Sequence, residues 1–231
     1  MAKDTTGRLH VTVKSGGKRK LSSKLWLERQ LNDPYVAQAK RDGFRSRAAY
    51  KLREMDDKHH FLKQGQVVVD LGAAPGGWSQ IAAKRVGAVE GRGKVVAIDL
   101  LEMAEIPGVT FAQMDFLDAQ APEKLRVMIG GGADVVMSDM AANTTGHRKT
   151  DQLRIIGLVE NAAAFACEIL NPGGAFLAKV FQSGAEADLL AQLKRDFATV
   201  KHVKPAASRQ DSSERYVLAL GFRGVRGGGE T

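Results

Sequence analysis

Val67-Val68-Val69-Asp70-Leu71-Gly72-Ala73-Ala74-Pro75-Gly76-Gly77-Trp78-Ser79-Gln80 is the stretch on which the fold turns. Three valines and an aspartate read as a strand. The small residues Gly72–Gly77 read as a bend, and a helix begins near Trp78. In an α/β sheet this order places a ligand crevice at the carboxyl end of the first strand. Glycines let the backbone approach a ligand closely, and the start of the next helix offers unpaired N–H groups. The bend lacks the Gly-Lys-Ser/Thr ending of a phosphate-binding P-loop, and Ala74 stands where a dinucleotide fingerprint has its second glycine. Taken alone it is also an ordinary tight βα turn, so its surroundings decide its meaning.

Downstream, strands and helices alternate. The helix Trp78–Val86 leads through the turn Gly91–Gly93 to a strand at Lys94–Asp99 and a shorter one at Val109–Gln113. Helix Ala121–Met128, strand Ala133–Met137, loop Ala141–Arg148 and a long helix Asp151–Leu170 follow. The turn Asn171-Pro172-Gly173-Gly174 opens a strand at Ala175–Phe181. Helix Ala185–Phe197 and strand Val200–Val203 come next, then a polar loop and a last strand at Arg215–Gly221. Alternation implies a parallel sheet. The last two strands have no helix between them, so one of them must run antiparallel. This α/β arrangement is a doubly wound, Rossmann-like sheet of seven strands, the plan of class I methyltransferases that use S-adenosylmethionine.

Upstream, Leu25, Trp26, Leu27 and Leu31 recur at helical spacing, and Asp33-Pro34 breaks the pattern. A second helical stretch covers Tyr35–Asp42. Ser46 is placed as the N-cap of a third, Arg47–Met55. We therefore expect a flexible basic arm over residues 1–22, one domain over residues 23–222 with a helical extension at 23–63, and a disordered tail over residues 223–231.

Charge divides the chain at the bend. Of the net +8, residues 1–65 hold 16 Lys/Arg against 7 Asp/Glu, and the other 166 residues hold 18 against 19. Arg45, Arg47, Lys51 and Arg53 are interleaved with Phe44 and Tyr50, a mixture suited to an RNA backbone and stacked bases. A basic arm on a near-neutral body suggests an anionic polymer as partner, although basic tails also serve as solvated solubilisers. The single cysteine, Cys167, and the absence of a secretory pattern or membrane span suit a reducing, cytoplasmic setting. The five histidines have no metal-ligand spacing.

A small set of positions carries the chemistry. Asp99, ending the second strand 27 residues after Gly72, can accept hydrogen bonds from the hydroxyls of a nucleoside ribose, as its counterpart does in nicotinamide enzymes. Asp115, after the third strand, is placed to meet an adenine amino group or to cap its own turn. Lys179 lies within the apolar strand Ala175–Phe181, where a lysine is costly unless paired or functional. Asp139 ends the fourth strand on the same rim. Glu214 joins them if the last strand is antiparallel, and Lys51 can close the group from the basic helix. An Asp/Lys pair beside a methyl donor suits transfer to a hydroxyl: the lysine takes the alcohol's proton while carboxylates align it and balance charge.

With these blocks in place the chain is identified as similar to the FtsJ/RrmJ family of ribose 2′-O-methyltransferases. VVVDLGAAPGGWSQ, SRAAYKL, VVMSDMAANTTG, FLAKVFQ and SSERYVLAL carry the resemblance, which runs from about Ser22 to Phe222. It implies a catalytic tetrad of Lys51, Asp139, Lys179 and Glu214, with Lys179 as proton acceptor. It implies S-adenosylmethionine contacts at Gly76, Trp78, Asp99, Asp115 and Asp139. It implies a uridine of 23S rRNA, in the large ribosomal subunit or its precursor, as substrate; a monomer is expected. Ala142 departs from the family, which has proline there to stiffen the loop beside Asp139. Other readings are a tRNA or mRNA-cap ribose methyltransferase, and an RNA-binding assembly factor without catalysis.

Overall fold

The computed structural model describes residues 11–13, 21–142, 148–181, 186–209 and 212–224. Its strands are β1 (Val67–Leu71), β2 (Lys94–Asp99), β3 (Val109–Gln113), β4 (Ala133–Ser138), β5 (Leu170–Phe181), β6 (Phe197–Val203) and β7 (Glu214–Phe222). They form one sheet in the order β3-β2-β1-β4-β5-β7-β6. β7 pairs antiparallel with both β5 and β6, and the other pairs are parallel. The doubly wound sheet with a single reversed strand is as the alternation implied.

The helices are α1 (Leu21–Leu31), α2 (Pro34–Arg41), α3 (Ala48–His59), α4 (Gly77–Val86), α5 (Ala121–Ile129), α6 (Arg148–Ile169) and α7 (Ala187–Asp196). They cover both faces of the sheet. Along β1 alternate side chains point to opposite faces. Val68 joins the cluster under α3 and α4, with Leu52, Met55 and Ile81, while Val69 and Leu71 join the one under α5 and α6, with Leu125 and Ala162. A strand buried on both faces is apolar throughout, which is why the VVV run reads without alternation.

Three local readings need correction. Ser46 does not cap α3. Arg47 occupies the N-cap without a side-chain hydrogen bond, and the Ser46 hydroxyl is buried with no partner. The four residues Asn171–Gly174 are not a separate turn. They lie within β5, between the pairs Ala133–Leu170 and Val135–Ala175, as a bulge that bends the strand. Phe197 begins β6 instead of ending the preceding helix. Of the expected arm, residues 11–13 lie against α1: Val11 and Val13 donate backbone N–H groups to Asn32 Oδ1 (2.8 Å) and Glu28 Oε1 (3.0 Å). Of the expected tail, Arg223 donates to the carbonyls of Lys194, Arg195 and Phe197, capping the end of α7. Residues 21 and 22 of the expected arm belong to α1, while residues 1–10 and 14–20, the loop residues 143–147 and residues 225–231 lie outside the described residues.

Candidate active site

The carboxyl ends of β1, β2 and β4 and the beginning of β7 meet on one rim, where the chain places its reactive side chains. On one side lies the glycine bend. Gly76 caps α4 with φ +107°, a conformation L side chains rarely adopt. A Cβ there would lie 2.5 Å from Ile106 Cδ1 and 2.9 Å from Met103 Sδ. Gly77 is needed for space instead: its Cβ would lie 2.4 Å from Ser46 Oγ and 3.1 Å from the backbone nitrogen of Ala49. The first turns of α3 and α4 touch through that gap, joining the basic extension to the bend.

Asp99 braces this bend. Its Oδ2 accepts the Ala74 N–H (2.9 Å) and its Oδ1 the Leu101 N–H (2.8 Å). Asp115 is exposed, and its Oδ1 accepts the Leu117 N–H (2.9 Å) in a local turn. Trp78 is buried, with its indole N–H given to the Ala48 carbonyl (3.0 Å) and its ring 5.6 Å from that of Tyr216. Its side chain is thus committed to packing, and its backbone N–H, in the first turn of α4, is what it can offer a ligand. Arg45, read as an RNA contact, reaches the other way. Its guanidinium donates to the carbonyls of Ala104 (2.5 Å) and Glu105 (2.5 Å), strapping the loop after β2 beside the bend.

Beneath the bend, Asp70 is fully buried. Its Oδ2 accepts the Ser79 hydroxyl (2.6 Å), and its Oδ1 has no partner. Burial pushes its carboxyl up, the Ser79 hydrogen bond opposes this, and the charges of Asp139 and Asp99 add to the rise, leaving it at about 7. An orphaned carboxylate oxygen among three acidic groups, under a cradle that a single Cβ would fill, fits a cationic ligand. S-adenosylmethionine, with its sulfonium and ammonium groups, is such a ligand.

On the other side the four residues of the expected tetrad come together. Lys179 is 7% exposed. Its Nζ donates to the Asp139 carbonyl (2.6 Å) and pairs with Asp139 Oδ1 (3.2 Å). Lys51 donates to Glu214 Oε1 at 2.6 Å across 163 residues of sequence. Burial pushes the Glu214 carboxyl up, but the Lys51 ammonium and its hydrogen bond, the Ser208 hydroxyl and Lys179 outweigh it and hold the group below the ordinary glutamate range.

One residue missed in the sequence links the two pairs. The Tyr216 hydroxyl lies 3.2 Å from Asp139 Oδ1, 3.2 Å from Glu214 Oε1 and 3.2 Å from Lys51 Nζ. Its single proton serves one carboxylate at a time, while its oxygen accepts from Lys51. Burial, followed by the two carboxylates, pushes its ionisation well above the ordinary tyrosine value, so it stays a donor. The signal was present: Tyr216 follows Glu214 by two strand positions, hence on the same face, and it is paired directly with Lys179. Ser208, which donates to Glu214 Oε1 at 3.0 Å, gave no such signal because it stands in an irregular loop.

A doubly wound sheet with one reversed edge-side strand, a glycine cradle at its first strand and a Lys/Asp pair on its rim defines a methyltransferase of class I. Residues 44–222 match the FtsJ-like methyltransferase family, and the chain belongs to it. It is 89% identical over 224 residues, covering 97% of this chain and 100% of the relative, to the ribosomal RNA large subunit methyltransferase E of Afipia carboxidovorans. The protein of the same name from Nitrobacter hamburgensis is 84% identical over 97% of this chain and 99% of its own. Among solved structures, a putative ribosomal RNA methyltransferase from Plasmodium falciparum superposes with a TM-score of 0.69 at 30% identity, over 78% of this chain and all of its own.

Proposed function

We propose that this methyltransferase transfers a methyl group from S-adenosylmethionine to the ribose 2′-hydroxyl of a uridine in 23S rRNA. It acts in the cytoplasm, as a monomer, on the large ribosomal subunit or its precursor. The observation that carries the reading is the Lys51–Glu214–Tyr216–Asp139–Lys179 chain of contacts on the rim, between the glycine cradle and helix α3. The names of the relatives that are 89% and 84% identical support large-subunit ribosomal RNA as the substrate.

Gly76, the Trp78 backbone, Asp99, Asp115 and Asp139 would hold the donor, which when bound supplies an electrophilic methyl group. The acceptor oxygen is a weak nucleophile until it sheds its proton. Lys179 Nζ, entering the step as the neutral amine, would take that proton as the oxygen–methyl bond forms and the donor's sulfur–methyl bond breaks, and the Asp139 carboxylate balances the charge that Lys179 gains. Glu214 accepts a hydrogen bond from the ribose and orients it, with Lys51 holding Glu214 in place. Little water reaches this group, which keeps the hydrogen bonds strong.

The test is transfer of labelled methyl from the donor to large subunits prepared from cells lacking the gene. Label is expected in 23S rRNA at one nucleotide whose 3′ phosphodiester resists alkali, as a blocked 2′-oxygen requires. Label on a base, or in tRNA in preference to the subunit, would overturn the assignment.

A further inference from the structure

Beside the tetrad lies a cleft of about 250 Å³ lined by Arg29, Gln30, Arg47, Lys51, Arg209, Ser212 and Glu214. Three segments distant in sequence build it: the last turn of α1, the start of α3 and the connection between β6 and β7. A single carboxylate, Asp33, organises its inner wall. Asp33 is buried, caps α2 by accepting the Tyr35 N–H (3.0 Å), and pairs with both Arg47 and Arg209, the latter at 3.1 Å. Arg47 also donates to the Ala207 carbonyl, and Glu54 holds the backbone of that loop by accepting the Ala207 N–H (3.0 Å).

This wall is short of negative charge. Lys51 and Glu214 neutralise each other, and one Asp33 is shared by two guanidinium groups. Among the described residues no carboxylate pairs with Arg29. The Arg47 Nε–H is buried without an acceptor. Burial, and after it the neighbouring Arg209, depress the ionisation of Arg47 below the ordinary arginine value. Two guanidinium groups sharing one carboxylate leave the wall a net positive charge, and a fixed fork of N–H donors matches phosphate.

We infer that this cleft seats a backbone phosphate of the RNA strand next to the ribose that is methylated, with Arg29, Arg47 and Arg209 as its donors. The inference rests on the proposed RNA substrate. Every ribose in a strand carries a phosphate on each side, and a ribose presented to Glu214 and Lys179 must place one of them close by. The cleft shares Lys51 and Glu214 with the tetrad, so a phosphate seated there lies beside the ribose presented to Lys179 and adds to the binding of the strand. Asp33 takes no part in the contact. It fixes Arg47 and Arg209 in place on the wall.

The experiment uses Arg29→Gln, Arg209→Gln and the double variant, with the melting temperature and S-adenosylmethionine affinity measured to establish that each is folded. Methylation of large subunits should show KM raised roughly tenfold or more in the double variant, with kcat within about twofold of the native value. The salt dependence of subunit binding should flatten by about one unit of slope for each arginine replaced. Subunit affinity is read separately by filter binding. A native protein that binds but does not methylate would then overturn the proposed function, while the variants' affinities still decide the cleft. An unchanged KM, affinity and salt slope in the double variant would overturn the phosphate seat. So would calorimetric binding of inorganic phosphate to the native protein, abolished in the variants, with subunit affinity unmoved, since the cleft would then serve a free anion.

Discussion

The two sides of the rim carry opposite charge, and their carboxyl groups respond in opposite ways. Beneath the glycine bend Asp70 shares its surroundings with Asp99 and Asp139 and is pushed up to about 7, mainly by burial. Across the rim Glu214 is also buried, yet it is held below its ordinary range by Lys51, Ser208 and Lys179. Burial has the same sign in both places, and the partners decide the outcome. One side is thus an acidic pocket short of a cation, the other a cationic wall short of an anion. Asp139 and Lys179 stand at the seam, where a methyl carried by a cationic donor would meet an oxygen carried by a polyanion.

Removing the seam should have the largest effect. Lys179→Ala deletes the proton acceptor while leaving both sides intact, so kcat for subunit methylation should fall roughly a thousandfold. S-adenosylmethionine affinity, measured by calorimetry, and subunit affinity should stay near native. Near-native turnover would mean that the proton leaves by another route. Next comes the joint between the sides. Gly77→Ala drives a methyl group into Ser46 Oγ and the start of α3, which should cost about 1–3 kcal/mol of stability by denaturant titration. Ser46→Ala alone should be close to neutral, because it removes a buried hydroxyl that has no partner. Combined with Gly77→Ala it should restore part of the stability but not all, since the Ala49 nitrogen stays 3.1 Å from the added carbon. Smaller again is Tyr216→Phe, which removes the hydroxyl linking Asp139 to Glu214 but leaves each with its lysine. Single-turnover rates should drop about tenfold with donor affinity unchanged. An unaltered rate would show that the two pairs are not coupled through Tyr216.

The same contrast explains what the sequence could reveal. The acidic side is built from contiguous segments: strand, bend and helix start lie within Val67–Gln80, and Asp99 sits at the end of the next strand. Local order alone exposes such a site. The cationic side joins Lys51 to Glu214 across 163 residues and Asp33 to Arg209 across 176. It became legible only through the buried lysine in β5 and the reversed last strand, which together brought Asp139, Lys179 and Glu214 to one edge. Asp33 read only as a helix breaker, because nothing local distinguishes a capping aspartate from one that also gathers two arginines. Ser46 misled for the converse reason: a serine ahead of a helix is a good cap by propensity, but packing of α3 against α4 turned its hydroxyl toward Gly77 instead. Arg45 likewise read as a cation facing RNA, whereas the loop after β2 offers its guanidinium two carbonyls that are visible only in three dimensions.

The least intrusive way to separate the two sides is by pH. The folded protein holds a proton on Asp70 up to about pH 7, whereas the unfolded chain releases it near the ordinary aspartate value of 3.8. Between these values the folded state binds more protons, so this group makes the protein less stable as pH rises, and the decline levels off above about 7. Asp70→Asn has no proton to lose. Its melting temperature relative to native should therefore climb from about pH 4 to about pH 8, by a few degrees at most once local relaxation is allowed for. Glu214 has the opposite sign. Its folded-state ionisation lies below the unfolded one, so its contribution is complete above the ordinary glutamate range and is lost as pH falls through the lowered folded value. Glu214→Gln should therefore lie furthest below native at neutral pH and converge on it in acid. If the two difference curves instead slope the same way, the charge on the rim is not divided as described, and the acidic pocket and cationic wall act as one field.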